Sequence, residues 1–243
     1  MGSGGPTAMW GSERTDRVVN RPFLEAQILS LAGVFALALF LPAGTVSWTA
    51  GWVYLLLFFS FVSILSRWLL QNNPSLLKER MTGFTSDQKS WDKIFILVTG
   101  ILFFSWLVLM PLDAVRFRWS SVPVWLQVVG AAILVGSFIV FFVTFRENSY
   151  LSPVVRIQEE RGQVVVSTGL YQYVRHPMYA GFGLFAFGTS LVLGSWYGLL
   201  GGLILVGVVA RRAVLEERVL RKELPGYASY MARVTYRLVP HVW

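Results

Sequence analysis

The sequence predicts an all-α polytopic membrane bundle of about six transmembrane helices, and three observations carry that prediction. The 243 residues are 55% hydrophobic and only 14% charged, with a mean hydropathy of +0.57, which is too little polar surface to clothe a soluble globule. Six apolar stretches each approach the roughly 20 residues that a helix needs to cross a bilayer core. The basic residues also fall almost entirely on alternate connections between those stretches, as in a chain threaded back and forth through a membrane.

Taken in order, Met1 to Ser12 are Gly/Ser-rich and lack the n-region, h-region and cleavage site of a signal peptide, so residues 1–12 read as a vector-derived leader. Residues 13–145 form an N-terminal scaffold of four spans, about Phe23 to Leu41, Trp52 to Leu70, Ile94 to Leu112 and Val124 to Phe145. The last two spans, Tyr179 to Leu193 and Trp196 to Ala210, are shorter and joined only by Gly194 and Ser195, which makes a tight antiparallel hairpin. Past Ala210 the run turns charged without Pro or Gly, so the sixth helix continues into water to Leu224, where Pro225-Gly226 ends it. Gly194, Gly198 and Gly202 recur every four residues and give that helix a packing face. Tryptophans 48, 52, 91, 119, 125 and 196 sit near span ends, as an interfacial belt requires.

Of the 21 Lys and Arg residues, all but Arg116 and Arg118 lie on one side of the threaded chain, which places both termini in the cytoplasm, in the manner of a bacterial-type inner-membrane protein. The net charge of +8 therefore records topology and anionic headgroups rather than nucleic-acid binding. The absence of cysteine excludes disulfides, thiol nucleophiles and thiolate metal sites, and two histidines leave no multi-histidine metal centre. The connection from Arg146 to Arg175 and the tail after Ala210 are each about thirty residues long and share the basic side. Loops that long in a small protein tend to carry function, so residues 146–243 are the working region and the cytoplasmic face is the working surface.

Three pieces of that region hold candidate chemistry. At Tyr171-Gln-Tyr-Val-Arg-His-Pro-Met-Tyr-Ala-Gly-Phe-Gly183 a polar loop enters an apolar helix, with Pro177 suited to the first turn and Arg175 and His176 beside the helix start, a place for a carboxylate or phosphate. A headgroup anchor explains the same Arg and Tyr residues, and helix packing explains Gly181 and Gly183. Glu216 and Glu217 are adjacent, hence about 100° apart on a helix and no glycosidase-type dyad. Their plain reading is a pair of i,i+4 contacts, Arg212 to Glu216 and Glu217 to Arg221. The tail carries Tyr227, Tyr230, Tyr236, Arg233 and Arg237 among apolar residues, and folds back on the membrane surface to close a pocket.

Together, Ser167 to Gly181 with its Arg-His-Pro-x-Tyr, the Arg212 to Glu217 segment and the Gly226-Tyr to Arg237-x-x-Pro240 tail resemble the isoprenylcysteine carboxyl methyltransferase superfamily. The related phospholipid N-methyltransferases share a Gly-x-Gly and a Glu-Glu pair, matched by Gly181/Gly183 and Glu216/Glu217. The resemblance implies S-adenosyl-L-methionine as methyl donor, in a cytoplasm-facing pocket made by the last two spans, the loop and the C-terminal helix. It implies donor contacts at Tyr171, His176, Pro177, Tyr179, Gly181, Gly183, Glu216, Glu217 and Tyr227. It also implies catalytic roles for Arg175, Arg237 and Glu217, with Arg175 orienting an anionic acceptor. The implied partner is a lipophilic or lipid-modified acceptor, a prenylated thiol-acid or isoprenoid carboxylate ahead of a phospholipid amine, with membrane lipids around it and no metal. Two other readings stay open at this point, an NADPH-dependent sterol-type reductase, which tends to have Asn where Met178 stands, and a non-catalytic membrane subunit.

Overall fold

In the computed structural model, the described residues are 20–81 and 88–243, so the segment 1–12 and the basic residues Arg14 and Arg17 lie outside them. Eight α-helices follow in order: α1 (Arg21–Ala43), α2 (Thr49–Asn72), α3 (Pro74–Met81), α4 (Ser90–Pro111), α5 (Val124–Glu147), α6 (Pro177–Val192), α7 (Trp196–Glu223) and α8 (Tyr227–Arg233). Five of the six expected spans are long and apolar enough to cross a membrane, α4 continuing through a π-type turn at Leu112–Arg116. The remaining one, α6, has only 16 residues, about 24 Å of helix, short of a bilayer core of roughly 30 Å. Its partner α7 has 28 and runs on past the apolar segment as the charge pattern requires, ending where Pro225 cannot continue it and Gly226 turns at φ 84°.

The bundle is centred on stacked aromatic rings. Phe35, Phe58, Phe103, Phe138 and Phe185 bring α1, α2, α4, α5 and α6 together, and Phe61 stacks on Phe138 at 4.5 Å. Leucines, isoleucines and valines such as Leu29, Leu37 and Ile139 point outward, which suits a lipid surround. Close approach depends on glycine. A methyl group on Gly130 of α5 would stand 2.8 Å from the Val192 amide nitrogen of α6, and one on Gly188 would stand 2.6 Å from that of Leu134. On α7, Gly198 faces Met110 and Gly202 faces Ala186, so the small-residue face expected there packs helices.

The far end of the α6–α7 hairpin is tied by Asp113, fully buried, which accepts from Ser120 Oγ and Ser195 Oγ at 2.5 Å each. Those two hydroxyls in turn accept from Trp196 N and Gly198 N, so the start of α7 is fixed through them. At the opposite end lie α3, the connection 148–176, the charged extension of α7, and α8 with the tail. That end holds the candidate site.

Candidate functional site

A cavity of about 450 Å³ opens at this end between α3, α4, α6, α7, the long connection and α8. Its walls differ in character. The loop and tail contribute Tyr171, His176, Tyr227 and Tyr230, and α7 contributes Glu216, whereas the side toward the membrane is Phe95, Phe103, Phe182 and Val209.

The polar wall is organised by Glu217. Its side chain is 4% exposed, and three cationic or imidazole groups converge on it: Arg175 Nε at 2.6 Å, His176 Nε2 at 3.2 Å and Arg237 Nε at 2.9 Å. A carboxylate this buried requires such partners, because an unpaired charge there would be too costly. The cluster also fixes the tail. Arg175 Nη1 donates to the carbonyls of Val234 and Thr235, while the amides of Arg175 and His176 donate to the carbonyls of Tyr236 and Arg237 at 3.0 and 2.9 Å. Arg237 then lies over the ring of Trp243. The expected fold-back of the tail is thus made by a backbone pairing plus one buried carboxylate.

Glu216, one residue earlier, faces a different direction, as the 100° step predicts. It accepts from Tyr179 Oη at 2.7 Å at the cavity wall. The tyrosines beside it are neutral hydroxyl groups. Burial pushes Tyr171, Tyr227 and Tyr230 above the ordinary phenol value, Tyr230 to about 12. Tyr171 Oη accepts from Asn148 Nδ2, Tyr230 Oη donates to the Tyr171 carbonyl, and the Tyr227 hydroxyl is buried with no hydrogen-bond partner among the described residues.

Six of the site residues expected from sequence line the cavity: Tyr171, Arg175, His176, Tyr179, Glu216 and Tyr227. Five do not. Pro177 is buried in the first turn of α6, and Glu217 and Arg237 stand behind the wall as the clamp just described. Gly181 packs on α5, where an added methyl group would meet Phe141 and Val140, and nothing stands near Gly183. The helix start also offers less than expected to an anion. Pro177 has no N–H, and the amides of Tyr179 and Ala180 already donate to the His176 carbonyl. The i,i+4 pairs expected on α7 give way to distant partners, Arg212 taking Asp92 of α4 at 3.0 Å and Glu217 taking the clamp.

Asp92 and Arg80 are not singled out by the sequence reading, which gives Arg212 only Glu216 as its partner. Asp92 is fully buried, accepts from the Val155 amide at 2.7 Å and pairs with Arg212, which also donates to the Pro153 carbonyl. Together they hold the long connection against α4 and α7. An aspartate beside the start of an apolar helix was the available signal, since a charge there needs a partner.

Residues 125–225 match the family model of phospholipid methyltransferases, a stretch that runs from α5 through the connection and α6 to the end of α7. A segment of 70 residues, 28% of this chain, is 37% identical to protein-S-isoprenylcysteine O-methyltransferase of Schizosaccharomyces pombe and spans 30% of that protein's length. Both matches fall in the isoprenylcysteine carboxyl methyltransferase and phospholipid methyltransferase superfamily that the sequence motifs resemble. Arg175, His176, Glu216 and Glu217 lie inside the region matched by the family model, while Tyr227 and Arg237 lie beyond it. The solved structure of the eukaryotic intramembrane Ras methyltransferase ICMT aligns with 94% of this chain and 88% of its own, at 15% identity and a TM-score of 0.47.

Proposed function

We propose that this protein is a membrane methyltransferase that transfers a methyl group from S-adenosyl-L-methionine to the carboxylate of a lipophilic acceptor, an isoprenylcysteine-like or isoprenoid acid, at the cytoplasmic face of the membrane. The observation that carries the reading is the two-sided cavity. Its volume of about 450 Å³ falls within the roughly 300–1,000 Å³ of small-molecule sites, and a hydroxyl- and carboxylate-bearing wall faces an aromatic and aliphatic one. The first suits a nucleoside bearing an amino-acid end, the second the chain of an amphiphile.

The residues present fit the donor. Glu216 is a carboxylate acceptor at the wall, held by Tyr179, for a ribose hydroxyl or ammonium group. The unpartnered Tyr227 hydroxyl adds a hydrogen-bonding group, and the stacked rings of His176 and Tyr179 add an aromatic face that attracts a cation. When bound, the donor supplies an electrophilic methyl group on a sulfonium centre. A carboxylate acceptor is already a nucleophile, so the protein's part is alignment and exclusion of water. Glu217 performs that part indirectly, by holding Arg175, His176 and the tail closed over the polar wall.

The test is to incubate the purified protein with methyl-labelled S-adenosyl-L-methionine and extracted lipids. The expected label is a base-labile ester in the apolar fraction. Base-stable label on a phospholipid headgroup would replace the carboxylate with an amine acceptor, and failure to bind S-adenosylhomocysteine would sink methyl transfer altogether.

A further inference from the structure

The sequence resemblance assigned an anionic acceptor to Arg175, but that side chain is 5% exposed, and its Nε and Nη1 are committed to Glu217, Val234 and Thr235. Another guanidinium lines the same cavity. Arg80 stands in the last turn of α3, its Cζ 4.8 Å from the centre of the Phe145 ring and its Nη1 donating to the Leu151 carbonyl at 3.2 Å. No carboxylate pairs with it among the described residues. The adjacent Glu79 is taken by Arg156, which reaches it at 2.9 Å, and by Ser152 Oγ at 2.7 Å. Burial alone would raise the Glu79 carboxyl, but those donors hold it below its ordinary value, so it serves Arg156 and not Arg80.

Two further cations lining the cavity, Arg156 and Arg212, are compensated by Glu79 and Asp92. Arg80 is exposed to solvent, and although the surrounding protein and the nearby Arg212 lower its pKa to about 10, it stays charged at neutral pH. A cation that lines a cavity beside a second cation and lacks a carboxylate partner favours an anion beside it. The cavity it lines also presents the apolar Phe95, Ile96, Leu151 and Met178, so the anion that fits carries a hydrocarbon chain.

We propose that Arg80 binds the carboxylate of the lipophilic acceptor, and that methylation releases the product by removing the charge Arg80 holds. This rests on the methyl-transfer reading above. In the transfer, a carboxylate oxygen forms the new bond to the methyl carbon, the carbon–sulfur bond breaks with its electron pair going to sulfur, and a neutral ester and a neutral thioether result. The ester keeps the acid's hydrocarbon but not its charge-assisted contact with Arg80.

The experiment compares, in neutral detergent, the affinities of an S-prenyl N-acylcysteine and of its methyl ester for wild type, Arg80→Gln and Arg80→Lys, with S-adenosylhomocysteine titrated alongside. Wild type should favour the acid over the ester by about 10-fold or more, as for a hydrogen bond to a charged group. Arg80→Gln should bring that ratio close to one and Arg80→Lys should restore part of it, both with unchanged S-adenosylhomocysteine affinity. An unchanged ratio in Arg80→Gln overturns the proposal, as does equal weakening of acid and ester. Selective loss of S-adenosylhomocysteine binding would assign Arg80 to the donor and overturn it too. If wild type binds the acid over the ester but labels no carboxylate, the methyl-transfer reading fails while the Arg80 site stands.

Discussion

At the turn of the α6–α7 hairpin Asp113 accepts from two serine hydroxyls, whereas at the open end Glu217 accepts from two arginines and a histidine. Both carboxylates are buried, and each ties down segments far apart in sequence. The serines answer Asp113 with short neutral donors already fixed to the start of α7, which closes that end around a solid contact. The long cationic side chains around Glu217 reach across from the connection and the tail, Arg175 lining the cavity and Arg237 standing behind its wall. Small hydroxyl partners therefore make a joint, while arginine partners let a carboxylate hold chain segments at a distance and leave room for a ligand.

The largest expected effect that separates the two ends is Glu217→Ala. It leaves Arg175, His176 and Arg237 without their shared carboxylate, and removing one partner of a buried ion pair costs about 3–5 kcal/mol. The loss falls on tail docking, so amides in residues 234–243 should exchange faster and S-adenosylhomocysteine binding should disappear while the transmembrane helices persist. A tail that stays protected would show that backbone pairing alone holds it.

Asp113→Ala comes next. It strands the Ser120 and Ser195 hydroxyls, at about 1–3 kcal/mol. The thermal midpoint in detergent should fall while S-adenosylhomocysteine affinity is unchanged, and a matching loss of affinity would erase the distinction between joint and ligand wall.

What the sequence made legible follows the same division. Helix positions depend on local composition, and the six apolar stretches, the continuation of the last helix into water and its stop at Pro225-Gly226 all appear in the fold. The tail's return was legible from its aromatic and basic content. Partners were not. Spacing along one helix suggested Arg212 with Glu216 and Glu217 with Arg221, worth tenths of a kcal/mol on a solvated surface. Burial changes the contest, because a desolvated carboxylate gains more from cations brought in from other elements: Arg212 finds Asp92, 120 residues away, and Glu217 finds Arg175, 42 away. Arg80 illustrates the limit most directly. In sequence it was one of many basic residues recording topology, and only the engagement of Glu79 by Arg156 distinguishes it.

The smallest effect sharpens the comparison, because each end holds an unpaired oxygen, Asp113 Oδ1 at the turn and the Tyr227 hydroxyl at the cavity. In the ligand-free protein neither oxygen has a partner to lose, so Tyr227→Phe should leave the thermal midpoint equal or slightly higher. If that hydroxyl meets the donor, the substitution removes one net hydrogen bond, about 0.5–1.5 kcal/mol, and S-adenosylhomocysteine affinity should fall roughly 2- to 12-fold. The stabilisation that S-adenosylhomocysteine confers in a thermal shift should shrink accordingly. Equal affinity in Tyr227→Phe and wild type would make the hydroxyl a packing orphan like Asp113 Oδ1, and the polar wall would then depend on Glu216 and Tyr179 for donor recognition.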